Sequence, residues 1–247
     1  MQKLVKLLLP VAMTLTLAAC GSGMPVALPD DPNNEPAATA PVDDDNQSAG
    51  EVELPSTTPD VPAVGLSERE QILKLYNHLD PSRLVPTKGL EEAVLYFHKN
   101  KSSLKNQKVI SVLDFSQSST KKRWYFIDIK TGSVWNVHVS HGKGSDANHD
   151  GFAEKFSNVS GSNASSLGFY KTAETYQGSN GYSLRLDGLS STNSNARPRA
   201  IVVHGADYVQ DQAVIQGRSW GCPAVSQANR DKVINLIKGG SLIYAYK

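Results

Sequence analysis

The chain has 247 residues, 39% hydrophobic and 20% charged, with 25 Lys plus Arg against 24 Asp plus Glu. That length supplies a core for one ordinary domain, the near-neutral total excludes an evenly basic nucleic-acid binder, and two cysteines exclude both a disulfide framework and a four-cysteine metal site. The charge is unevenly spread: residues 1–20 carry Lys3 and Lys6 and no acid, residues 21–66 carry nine acids and no base, and residues 67–247 have a net charge of +8.

Lys3 and Lys6 precede an apolar run, Leu7 to Ala19, that ends in Leu17-Ala18-Ala19-Cys20. A short positive region, about 13 apolar residues and small residues before a cut read as a secretory signal, too short for a spanning helix of about 20. Leu-Ala-Ala-Cys resembles the bacterial lipobox, which implies a signal peptide over 1–19 and lipidation of Cys20. Gly21 rather than Asp follows the cysteine, which favours the outer membrane over the inner one in a Gram-negative cell. Residues 20–66 then form an acidic tether. Eight of the thirteen prolines and no aromatic residue fall in 21–66, a composition that cannot offset chain entropy by burial. A flexible coil of that length reaches roughly 35–40 Å, and like charges and prolines extend it further.

The folded part begins at Ser67, where Ser67-Glu68-Arg69-Glu70 is a capping box. Ile72, Leu73, Tyr76 and Leu79 follow at helical spacing, and Leu90, Val94 and Phe97 place a second helix over about Lys88–Asn100. These make a helical subregion, 67–107. From residue 108 the period changes. Val109–Asp114, Trp124–Ile129, Val134–Val139, Tyr182–Leu186, Ala200–His204 and Leu242–Tyr246 read as strands, with Lys130-Thr131-Gly132 as a hairpin turn. Ser140–Asn180 is rich in Gly, Ser and Asn and reads as loops. Ser226 caps a late helix carrying Val233, Leu236 and Ile237, stopped by Gly239-Gly240. Two helices, then strands with one late helix, predict a β-rich α+β domain, and the lack of β-α-β alternation argues against a doubly wound sheet.

One cysteine remains in the folded part, in Gly217-Arg218-Ser219-Trp220-Gly221-Cys222-Pro223-Ala224, just upstream of the Ser226 cap. A thiol near a helix N-terminus is favoured as thiolate, although a free cysteine also serves as a small core residue. A nucleophile needs a base. Of six histidines, His78 and His98 fall on the early helices, His138 in a strand, His141 at a glycine turn and His149 in a polar loop. His204 ends the apolar run Ala200–Val203 and is followed by Gly205, a position that presents a side chain at a strand end.

Taken together, His204-Gly205 and Ser219-x-Gly221-Cys222, separated by Gly205 to Arg218, resemble the signature of the L,D-transpeptidase catalytic (YkuD-like) family. Val139-Ser140-His141-Gly142-Lys143 and Ser165-Ser166-Leu167-Gly168-Phe169-Tyr170 are similar to two further stretches of it, so the resemblance spans about 108–247. Trp220 stands where the family commonly has His, and Pro223-Ala224 where it commonly has Ile/Val-Arg, which points to a divergent murein branch. The resemblance implies a β-sandwich that performs acyl transfer on peptidoglycan stem peptides without a cofactor. Cys222 would be nucleophile, His204 base, the Gly205 carbonyl its orienter, the N–H groups of Gly221 and Cys222 an oxyanion hole, and Ser219 a supporting hydrogen bonder. Trp220, Arg218, His141, Gly168 and Tyr170 are expected at the substrate, and Arg218 or Arg199 would supply a charge.

Other chemistries fit less well. Asp146-x-Asn148-x-Asp150-Gly151 matches half of a calcium loop, but its twelfth position is Ser157 rather than Glu, so a polar turn is expected. No His/Cys spacing suits zinc. A papain-like order would place Cys before His, and sortases separate the pair much farther. Four functional outcomes remain open: transpeptidation that forms 3–3 cross-links, attachment of a protein or other amine acceptor to the wall, hydrolysis of the same bond by a carboxypeptidase, and a non-catalytic wall-binding lipoprotein whose +8 domain adheres to anionic polymer. Nucleic acid is not an expected partner. The lipid bilayer, reached through Cys20, is.

Overall fold

The computed structural model describes residues 65–247; the signal peptide, Cys20 and nearly all of the tether lie outside the described residues. In chain order the elements are α1 (Glu68–Leu75), α2 (Thr87–Asn100), a 3-10 turn (Lys101–Ser103), β1 (Val109–Asp114), β2 (Trp124–Asp128), β3 (Val134–Val137), β4 (Gly168–Gly178), β5 (Gly181–Gly188), β6 (Val202–Gly205), β7 (Ala224–Val225), α3 (Gln227–Ile237) and β8 (Leu242–Tyr246). The fold is the expected α+β one, with two early helices and one late helix. The capping box forms as read: Ser67 Oγ accepts from Glu70 N–H, and Glu70 accepts from Ser67 N–H at 2.7 Å.

Eight strands make one mixed sheet in the order β3-β2-β1-β8-β4-β5-β6-β7, parallel only at β1/β8 and β6/β7. Its two edges approach each other. Beyond β3 the chain continues to Ser140, whose N–H donates to Ala224 O of β7 at 2.9 Å, and Gly142 then bridges Ser219 in parallel. The sheet is therefore a nearly closed sandwich, which removes most unpaired edge. All six residues of β1 are buried because the sheet is covered on both faces. Ile110 and Val112 point to one core with Ala93, Val94 and Phe97 of α2, while Val109 and Leu113 point to the other with Val233, Ile234 and Ile237 of α3.

Two strands were not legible, β4 and the two-residue β7. β4 runs through the stretch read as loops, and only Tyr170 and Thr172 of its eleven residues are buried. Its register against β5 shifts between Thr172 and Thr175, and such a bulge reverses the inward and outward phase midway. The strand read as Ala200–His204 begins later, at Val202, because Ala200 has φ 54°, outside the extended region.

Thr172 ties three elements at the end of α3. Its buried hydroxyl donates to Ile237 O at 2.6 Å and accepts from Gly240 N–H at 3.1 Å and Ser241 N–H at 2.8 Å. Thr172→Val keeps the shape and strands these groups without a partner. We expect a loss of about 2 kcal/mol, read as a lower urea midpoint with an unchanged denaturant slope.

Candidate functional site

The site is built on the adjacent strands β6 and β7 and the turn that precedes β7. His204 pairs with Ala224 across the parallel β6/β7 ladder, and Cys222 lies two residues before Ala224, where its Sγ accepts from Val202 N–H at 3.4 Å and donates to Ala200 O at 3.6 Å. Val202 and His204 are two apart on β6, so their side chains share a face. The thiol thus lies against the backbone of Val202, two residues before His204 on the same strand. Among the described residues no hydrogen bond joins the two. The resting sulfur is turned to the strand backbone, beside the positive-φ Ala200.

The electrostatics keep both groups neutral. Burial pushes the Cys222 thiol up, opposed by the Val202 N–H and the charge of Arg199. Burial pushes His204 down, opposed by Gly205 O. His204 Nδ1–H donates to that carbonyl at 2.9 Å, which leaves Nε2 with a free lone pair. This is the tautomer a general base requires.

The turn before the cysteine is fastened by Ser219. Its hydroxyl donates to Cys222 O at 2.7 Å and accepts from Gly221 N–H at 3.1 Å. The expected oxyanion pair is therefore not free in this state: Gly221 N–H is spent on Ser219 Oγ, while Cys222 N–H meets no acceptor among the described residues. Gly221 has φ 119°, and a Cβ there would stand 2.7 Å from Ala164 O. Only glycine fits.

The expected substrate residues divide. Trp220 is 74% exposed on this turn, with Lys143 Nζ 5.6 Å from its ring centre. Arg218 is turned away, its Nη1 donating to the carbonyls of Asp146 and Ala147, so it braces a loop rather than offering a charge. Arg199 is similarly occupied by Ser157 O and Ala164 O, each at 2.6 Å, though its charge still bears on Cys222. Gly168 opens β4 against Ser190 and Thr192. Tyr170 is buried, bonded to Ser166 at 2.7 Å, and pushed up to about 12 by that burial. Tyr170 thus offers no free face, whereas Gly168 is half-buried.

His141, also expected at the substrate, is 1% exposed with both nitrogens engaged. Nδ1 accepts from Arg123 Nη2 at 2.8 Å, and Nε2–H donates to Asp146 at 2.9 Å. Burial and the Arg123 charge lower its pKa to about 4. Asp146 is held below its usual range: burial raises it, but the His141 bond and the Gly151 and Asp150 N–H groups outweigh that. The half calcium loop is thus a polar turn whose first carboxylate points inward. Among the described residues, no three His, Cys, Asp or Glu groups converge to hold a metal, and no helix is long and apolar enough to cross a membrane.

Two residues escaped the sequence reading. Arg123, 0% exposed, sits in an ordinary basic run beside a strand. Tyr208 lies in the His-to-Cys gap, its hydroxyl pushed up to about 12 by burial and by nearby Cys222. No spacing pattern marks either one.

The family described as "L,D-transpeptidase catalytic domain" matches residues 82–246. Among solved structures, similarity is found to an L,D-transpeptidase from Mycobacterium smegmatis (15% identity, 57% of this chain and 59% of the other, TM-score 0.36). It extends to Mycobacterium tuberculosis L,D-transpeptidase 1 (14%, 57% and 62%, TM-score 0.33). A third is the helical cell shape determining protein Pgp2 from Campylobacter jejuni (12%, 66% and 57%, TM-score 0.36). The chain spans about six tenths of the length of each. No curated protein matches.

The buried His141 makes stability pH-dependent. Its folded pKa of about 4 lies below the ordinary 6.5, so between those values the unfolded chain binds more protons and stability falls as pH falls. Lowered Asp146 and His204 act in the same direction. Two and a half pK units correspond to about 3 kcal/mol. Thermal denaturation should show Tm dropping from pH 6.5 to pH 4, and His141→Gln should flatten that slope.

Proposed function

The chain belongs to the L,D-transpeptidase catalytic domain family, and from that premise we propose that it performs cysteine-dependent acyl transfer on peptidoglycan stem peptides. One observation carries the reading: a thiol in the turn before β7 lies against β6, the strand that carries a neutral imidazole, and the imidazole Nδ1 is held by Gly205 O so that Nε2 keeps its lone pair. The reading requires a change of Cys222 rotamer that carries Sγ from the backbone of Val202 to His204.

In this reading His204 Nε2 removes the thiol proton as Sγ attacks the carbonyl carbon of the diamino acid in a tetrapeptide stem. The oxyanion forms against Cys222 N–H, joined by Gly221 N–H if the Ser219 hydroxyl rotates away. The C–N bond to the terminal D-alanine breaks, and imidazolium returns the proton to the leaving amine. An amine of a second stem then attacks the thioester, His204 takes the proton that the amine loses, Cys222 leaves as thiolate and recovers that proton from the imidazolium, and a 3–3 cross-link results. Water in place of the amine would give a carboxypeptidase. Trp220 flanks the substrate.

The remainder of the proposal concerns placement. Residues 1–19 are a signal peptide, Cys20 is lipidated, 20–66 form a tether, and the helical 67–107 precedes a catalytic region over 108–247. The tether would let the domain reach the wall from the outer membrane on its periplasmic side.

Mass spectrometry of the protein with a disaccharide tetrapeptide, or with a carbapenem, tests the chemistry. The expected result is an acyl adduct on Cys222, absent in Cys222→Ala and formed at least 100-fold more slowly in His204→Ala. The acid limb of the acylation rate should lie below pH 6.5, because His204 is shifted down and only its neutral form accepts the proton. A folded protein that binds sacculi and never acylates is a wall-binding lipoprotein instead.

A further inference from the structure

The turn that carries the nucleophile also carries an exposed aromatic ring and a cation with no partner. Gly142 is pressed against the turn so closely that a Cβ on it would stand 2.9 Å from Gly221 Cα. Next to it, Lys143 N–H donates to Ser219 O at 2.8 Å, while Ser219 N–H donates to His141 O at 2.9 Å. These bonds fix the Lys143 backbone within two residue steps of Cys222, well inside the reach of a lysine side chain. The ammonium lies over Trp220, is exposed, and forms no ion pair among the described residues. The neighbouring guanidiniums cannot substitute for it, since Arg218 and Arg199 are committed to backbone carbonyls.

Trp220, 74% exposed, is the ring that meets this ammonium. Tyr208, Val214 and Ile215, earlier in the segment between His204 and Cys222, are exposed large hydrophobic residues as well. A large exposed ring beside an unpaired cation marks a surface that a ligand covers. The ligand it fits has an aliphatic body to lie on the ring and an anionic group for the ammonium.

We propose that Lys143 and Trp220 form the carboxylate-recognising edge of the substrate site, with Lys143 pairing a free carboxylate of the stem peptide while Trp220 covers the adjacent aliphatic chain. This rests on the stem-peptide reading above. Neutralising an anion beside the reacting carbonyl also spares the attacking thiolate a like charge. Lys143 is here a binding residue. It moves no proton.

Binding to full-length protein carrying Cys222→Ala, measured by isothermal titration calorimetry, separates recognition from reaction. The two probes are a disaccharide tetrapeptide with free stem carboxylates and the same muropeptide with those carboxylates amidated. We expect the free form to bind about tenfold more tightly, as one charge-assisted pair allows, with the preference shrinking at high salt. Adding Lys143→Gln should abolish the preference and Lys143→Arg should keep it, whereas Trp220→Ala should weaken both probes alike. A preference that survives Lys143→Gln, or a free form that binds no better than the amidated one, overturns the proposal. If the preference follows Lys143 while the unmutated protein never acylates, it is the transpeptidase reading that fails and this one that stands.

Discussion

A guanidinium without solvent access governs the architecture around Cys222. Arg123 is 0% exposed, and burial lowers its pKa to about 9, which still leaves it charged at neutral pH. A buried charge left unpaired costs several kcal/mol, so the fold must bring acceptors to it. Gln117 O at 2.7 Å, Val139 O at 3.0 Å and His141 Nδ1 at 2.8 Å do so, and Asp146 completes the chain through His141. The same residues then hold the turn that leads to Cys222. The His141 carbonyl receives Ser219 N–H, and the Asp146 carbonyl receives Arg218. The turn is thus anchored to a charged network that cannot easily rearrange.

Sheet closure serves the same end. Ser140 meets Ala224 where the two sheet edges approach, and the Ser140 hydroxyl also accepts from Ala224 N–H at 3.3 Å. Without that seam β7 would be a two-residue strand with one neighbour, and Cys222 would sit on a loose end. With it, the cysteine backbone is held between β6 on one side and the 140–143 segment on the other. What stays adjustable is small: the cysteine rotamer and the serine hydroxyl. These are the motions that acylation would use.

The open side of the turn joins two side chains from separate segments. Trp220 gives the turn an exposed ring, and Lys143, brought there by the bonds between 141–143 and Ser219, sets its ammonium 5.6 Å from the ring centre. Neither residue is placed by its own neighbours in sequence; the closure of the sheet brings them together.

Where local chemistry alone specifies a feature, it was legible in the chain. The Ser67 capping box, the strand β1, the Ser226 cap and the Gly205 carbonyl beside His204 each depend on residues within a few positions of one another. The family was legible as well, through a resemblance between motifs. The strand β4 was not, since its bulge breaks the alternation that reveals strands. Nor were the roles of His141, Tyr170 and Arg218, three polar residues that looked available for substrate and proved to be occupied. Arg218 meets carbonyls 72 and 71 residues away, His141 joins a network with buried Arg123 that no local pattern announces, and Tyr170 bonds nearby Ser166 only because burial turns its ring inward. By itself the sequence determined which atoms could react and what the chain segments are made of. Only the tertiary structure decided which polar groups remain free, because that depends on long-range hydrogen bonds formed when the sheet closes.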